Sequence, residues 1–239
     1  MACEPVPVPA AGLSSITTDG LEPSSWLVVA TGACALVAVM VNGVWRWARN
    51  VITIVHEGGH ALAALLTGRR LTGIRLHSDT SGLTLSVGKP SGPGMVVTAA
   101  AGYLSPSLAG LAGVGLLAVE QVTVMLWAGT AVLLAMLVMV RNVYGALSLV
   151  VTSAVVVAVS VLAPADVRAA FGYAMTWFLL LGGVRPIGEL WHQRRLHPGA
   201  CSDAHQLARL TYVPAVVWVA LFGLATLGAL AAGTWLLVV

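Results

Sequence analysis

The stretch from Gln121 to Ala163 reads QVTVMLWAGTAVLLAMLVMVRNVYGALSLVVTSAVVVAVSVLA, two long apolar runs interrupted once, by Arg141 and Asn142. A helix rises about 1.5 Å per residue and the hydrocarbon core of a bilayer is about 30 Å thick, so roughly 20 apolar residues cross it. Each run is that long. The pair therefore reads as two membrane helices joined by a tight polar turn.

The rest of the chain agrees. Of 239 residues, 58% are hydrophobic and only 9% charged, against roughly 25% charged in an average globular protein. Mean hydropathy is +0.91. A soluble domain of this size could not cover its surface with so few charges, so the chain is expected to be an all-α polytopic membrane protein. Spans are expected at about 26–45, 50–67, 94–118, 121–140, 143–163, 169–184 and 212–238, six to seven in all because the second and sixth are short. Residues 1–25 are rich in Pro, Ser and Thr, contain no Lys or Arg, and read as a flexible tail; residues 26–239 read as one integral membrane domain. The tail lacks the basic start and apolar run of a secretory signal.

Charge excludes further classes. Net charge is +3 and no basic cluster is interleaved with aromatics, so no nucleic-acid partner is expected. Cys3, Cys34 and Cys201 are far apart and form neither a disulfide framework nor a cysteine zinc site. Basic residues favour the cytoplasmic side of membrane proteins. If the chain is cytoplasmic after Thr67 and seven spans alternate, nine Lys and Arg fall inside, and Arg46, Arg49 and Arg168 outside. That alternation makes the N-terminal tail cytoplasmic and the C-terminus external. The Arg-rich, Ala/Val/Gly/Leu-rich composition points to a bacterial cell membrane.

Residues 69–88 depart from the apolar pattern. Ile74 and Leu76 alternate with Arg75 and His77; Leu83, Leu85 and Val87 alternate with Thr84 and Ser86; Ser78-Asp79-Thr80-Ser81-Gly82 lies between. This is the pattern of a β-hairpin. Its open edges cannot face lipid, so a small hairpin at the cytoplasmic face or under cover of helices is expected. Residues 185–210, with Pro186, Pro198 and Gly199 as breaks, form a second cytoplasmic stretch.

The chemistry resides in Val55-His56-Glu57-Gly58-Gly59-His60. On a helix, His56 and His60 share a face and can present two imidazoles to one metal ion, with Glu57 about 100° round the helix and able to act as general base. Chance gives such a pattern only ~0.003 times in a chain of this composition. Ionisable groups inside a membrane helix are costly, and their presence points to function. The bland alternative is a polar packing cluster, with the histidines hydrogen-bonded and Glu57 neutral.

The segment Ile54-Val55-His56-Glu57-Gly58-Gly59-His60-Ala61-Leu62-Ala63-Ala64-Leu65-Leu66-Thr67-Gly68 resembles the catalytic helix of the site-2 protease family of intramembrane zinc metallopeptidases, in its short bacterial branch without a PDZ domain. The hairpin that follows, and then Ala101-Gly102-Tyr103-Leu104-Ser105-Pro106, resemble the family's next elements. The resemblance implies a Zn2+ cofactor, a transmembrane protein as substrate within the lipid bilayer, His56 and His60 as ligands and Glu57 as the proton carrier. It also implies a third ligand, an Asp in an Asn…Leu-Asp-Gly pattern. This chain has no Leu-Asp-Gly, and Asp79, Glu189 and Asp203 remain once tail, external and catalytic acids are set aside. Asp79 sits at a turn, and Glu189 lies beside arginines. Asp203 precedes the last apolar run, with an alternative reading as the N-cap of a capping box with Gln206, and is the preferred ligand. Asn142 corresponds to the family Asn, which would orient the substrate backbone; a capping role is the alternative.

The sequence thus points to a zinc-dependent intramembrane endopeptidase. Two rivals use the same residues: a metal-binding membrane scaffold without proteolysis, and a proton- or metal-coupled transporter.

Overall fold

The computed structural model describes residues 25–196 and 202–238, so the expected flexible tail lies outside the described residues. Among the described residues, eight helices and one hairpin follow in order: α1 Ser25–Met40, α2 Asn42–Leu66, β1 Arg70–Leu76, β2 Gly82–Val87, α3 Pro93–Ala118, α4 Val122–Met139, α5 Val143–Leu162, α6 Ala165–Leu196, α7 Asp203–Thr211 and α8 Ala215–Val238. The chain is an all-α polytopic membrane protein with a small hairpin. Five helices (α3, α4, α5, α6 and α8) are long and apolar enough to cross a membrane, and α1 with α2 makes a sixth if the pair counts as one span.

That pair departs from the sequence expectation. Instead of two spans separated near residues 46–49, the helix breaks at Val41 and the two halves meet at 101°. Arg46 and Arg49 sit inside α2. Arg49 lies 3.4 Å from Glu189 near the C-terminal end of α6, where the Trp45 indole N–H also donates to Glu189 Oε1 at 2.8 Å. A contact that short cannot straddle a hydrocarbon core, so Arg49 and Glu189 share one end of the bundle, contrary to strict alternation of seven spans.

α1 lies along α6 in the same direction. The Trp177 indole N–H donates to Val28 O at 3.1 Å, and at the other end Arg185 donates to Val39 O and, at 2.6 Å, to Asn42 Oδ1. α3 runs antiparallel to α6, with Gly110 facing Leu180 and Gly113 facing Thr176, so the start of α3 and the end of α6 coincide. All twelve Lys and Arg lie in described segments, and only Arg168, near the start of α6, falls at the opposite end.

Two prolines lie within helices, Pro106 in α3 and Pro186 in α6. The break expected at Pro186 is absent: α6 continues to Leu196. Tertiary contacts over-ride the lost hydrogen bond, since Ile187 and Leu190 beyond the proline are buried against α7 and α8.

The hairpin is antiparallel, pairing Ile74 with Thr84 and Leu76 with Gly82. Ile74 and Leu76 are fully buried in a cluster with α2, α4 and α5, whereas Leu83, Leu85 and Val87 face outward. The outer edge of β1 is closed: Arg141 N–H donates to Ile74 O at 2.9 Å, and Asn142 clamps Leu76 by donating from Nδ2 to its carbonyl at 2.6 Å and accepting its N–H on Oδ1 at 3.2 Å. These bonds dispose of the edge that lipid could not satisfy.

Candidate metal centre

α2 places His56 and His60 one turn apart, and both imidazoles point at α3. Close approach of the two helices depends on small residues. A Cβ at Gly102 would overlap both rings, and one at Gly59 would collide with Ser105. Ser105 ties the helices together by donating to Val55 O at 2.9 Å. The edge of His56 also meets Tyr103, with centroids 4.8 Å apart and planes at 88°.

His60 Nδ1 lies 2.7 Å from Thr98 O. A carbonyl can only accept, so the neutral ring carries its proton on Nδ1 and turns a lone pair at Nε2 into the site. His56 Nε2 is 3.1 Å from that atom. Asp203 Oδ2 completes the triangle, 3.2 Å from His56 Nε2 and 3.3 Å from His60 Nε2. The ligand atoms of a tetrahedral ion with bonds of about 2.0–2.1 Å stand about 3.3 Å apart. The triangle thus has the size a zinc ion needs, and its donor set of two imidazoles and a carboxylate is one that zinc takes.

Asp203 reaches the site because α7 folds back on α3. Ala204 and Leu207 are fully buried there, and Tyr212 ends the helix in the left-handed conformation before α8 begins. The capping role that competed for Asp203 belongs to its neighbour: Ser202 is the N-cap and accepts from the His205 N–H at 3.3 Å. The Asp203 carboxylate is therefore free for the imidazoles. Burial alone would raise its carboxyl pKa; hydrogen bonds from His56 and His60 outweigh that and hold it below the usual carboxylate range.

Glu57 is buried, and its ligand-type oxygen lies with those of His56 and His60 in one group whose atoms are within 4.8 Å of one another. Its carboxylate rests on β2, where Thr84 Oγ1 donates to Oε2 at 2.6 Å. The remaining candidates lie elsewhere. Glu189 is bound by Trp45, Arg49 and Arg185, the last at 3.2 Å. Asp79 accepts from the Ser81 hydroxyl at 2.6 Å and from its backbone N–H at 2.9 Å in the hairpin turn, and those bonds lower its carboxyl pKa. Asn142 is engaged with Leu76.

Gly102, Thr98 and Thr84 were not singled out from the sequence. Gly102 had a signal, a small residue in the helix following the motif. Thr98 acts through its carbonyl, which no side-chain pattern reveals.

The model of the Peptidase M50B-like family matches residues 29–233, a stretch that includes His56, Glu57, His60, Asn142 and Asp203. No curated protein and no solved structure matches the chain. With the family model covering most of its length, this multi-pass membrane protein belongs to the Peptidase M50B-like family, that of the site-2 proteases.

Proposed function

We propose that the protein is a zinc-dependent intramembrane endopeptidase that hydrolyses peptide bonds of transmembrane substrates in a bacterial cell membrane. The observation that carries this reading is the triangle of His56 Nε2, His60 Nε2 and Asp203 Oδ2, with edges of 3.1 to 3.3 Å, beside the buried carboxylate of Glu57.

His56, His60 and Asp203 would hold the ion, which would supply Lewis-acid activation of a water by lowering its pKa to about 7. Glu57 accepts the proton of the attacking water and delivers it to the amide nitrogen as the C–N bond breaks, leaving a carboxylic acid on one fragment and an amine on the other. The low-dielectric surroundings of the site strengthen these charge interactions.

A peptide bond inside a helix is shielded, so the substrate helix unwinds locally and presents an extended segment. That segment adds to the hairpin as a further strand. Among the described residues only β2 offers it an edge, because 140–142 already occupies that of β1. Asn142 then serves the substrate by holding β1 in place. The end of the bundle carrying eleven of the twelve basic residues faces the cytoplasm, and water enters from that end.

Against a transporter, the acids outside the metal cluster among the described residues are accounted for by surface, turn and ion-pair positions such as Asp79 and Glu189. A metal-binding scaffold would bind zinc equally well but would not depend on Glu57. Purified protein in lipid nanodiscs is tested for zinc and for cleavage of a membrane-helix peptide. One zinc per chain with peptide-bond cleavage supports the proposal; zinc without cleavage supports the scaffold.

A further inference from the structure

Glu57 lies on α2, yet what holds its carboxylate is the hairpin. Thr84 Oγ1 donates to Oε2 at 2.6 Å; the alternative acceptor, Glu57 O, is farther away at 3.2 Å, so the single hydroxyl proton goes to the carboxylate. Two residues earlier on the same face of β2, Gly82 supplies the space. A Cβ there would overlap Oε1, Cγ and Cδ of Glu57. The helical threonines Thr98, Thr130 and Thr152, and the helix-capping Thr67, each return their hydroxyl to the carbonyl four residues back. Thr84 instead spends its donor on a carboxylate of another element.

We propose that Gly82 and Thr84 form a cradle that fixes the orientation of the Glu57 carboxylate, with Thr84 as a positioning residue for the proton transfer. The inference rests on the assignment of Glu57 as the proton carrier. A glutamate has three rotatable side-chain bonds, and an unrestrained carboxylate would sample many positions. The Thr84 bond ties Oε2 and leaves the lone pairs of Oε1 to receive the proton of the attacking water. Thr84 keeps its own proton throughout. The strand whose free edge receives the substrate thus also aims the base, so both are registered on one element. Misplacement of a reacting group by about 1 Å costs up to 10²-fold in rate, and losing one of its restraints is expected to cost about tenfold.

The test uses full-length zinc-loaded protein in nanodiscs, comparing wild type with Thr84→Val, Thr84→Ser and Gly82→Ala for kcat, KM and zinc content. Thr84→Val is expected to lower kcat about tenfold with KM and zinc nearly unchanged, Thr84→Ser to restore most of it, and Gly82→Ala to lower kcat with zinc retained. A purely structural threonine would not be rescued by serine in kcat alone. A second readout needs no activity: Thr84→Val should lower the melting temperature when Glu57 is present and have little effect in a Glu57→Ala background. Undiminished kcat in Thr84→Val, or equal melting shifts in both backgrounds, overturns the cradle. A wild type that binds zinc but cleaves nothing rejects the protease reading instead, and the melting comparison then decides the cradle by itself.

Discussion

Asp203 Oδ2 lies 3.3 Å from His60 Nε2, which brings together two elements remote from one another in sequence. The geometry places Asp203 where the proposed third ligand would stand, without the Leu-Asp-Gly pattern that the sequence lacks.

Metal analysis should therefore separate Asp203 from Glu189. Wild type is expected to hold about one zinc per chain, as a three-ligand site implies. His56→Ala, His60→Ala and Asp203→Ala should lose most of it, whereas Glu189→Ala should keep it. A chelator should strip the metal and abolish cleavage, and added zinc should restore both. Zinc retained in Asp203→Ala would remove that residue from the site.

Gly102 faces both imidazoles with no room for a methyl group. Gly102→Ala should push the rings off the metal and weaken zinc binding by about tenfold, the lower range for disturbing groups that orient metal ligands. Zinc titration of the purified variant, with circular dichroism to verify the fold, measures this. Unchanged affinity would mean that α2 and α3 separate at little cost.

The Arg49–Glu189 contact and the parallel course of α1 and α6 place the start of α1 at the end opposite the hairpin. A reporter fused after residue 88 should register the cytoplasm, and a cysteine replacing Trp26 should react with an impermeant reagent from outside. Labelling of position 26 only after lysis would restore the seven-span alternation and a cytoplasmic N-terminal side.

Asn142 spans Leu76 N and O at the closed edge of β1. Asn142→Ala should leave zinc content intact while loosening the hairpin, seen as faster amide hydrogen exchange at residues 74–76. Unchanged exchange there would show that the Arg141 bond to Ile74 suffices.

Much of this architecture was legible because the bilayer fixes length. The runs expected at 94–118 and 143–163 are helices at Pro93–Ala118 and Val143–Leu162. His56, Glu57 and His60 were legible for a similar reason: helical periodicity alone puts them on neighbouring faces. The break at Val41 was hidden because Arg46 and Arg49 look like a loop, although Asn42-Gly43 just before them carried a turn signal. The long arginine side chain lets Arg49 remain helical and still reach Glu189. Alternation in β2 fixed which residues share a face but not which face turns inward. Thr84 and Gly82 turn toward Glu57, and Leu83 and Leu85 are the exposed ones. Asp203 is favoured by its place before the last apolar run and carries no ligand motif of its own; the fold-back of α7, sealed by Ala204 and Leu207, brings it to the histidines.

Whether Glu57 carries the proton while the metal sits on other residues is decided by Glu57→Gln. The substitution keeps the size of the side chain and an oxygen for Thr84, and removes the basic carboxylate. Zinc content should stay at the wild-type level, while cleavage of a membrane-helix substrate falls by at least about 10²-fold, the lower range for loss of a general acid–base group. Undiminished cleavage by Glu57→Gln would contradict the mechanism, and loss of zinc together with activity would make Glu57 a ligand or a structural residue.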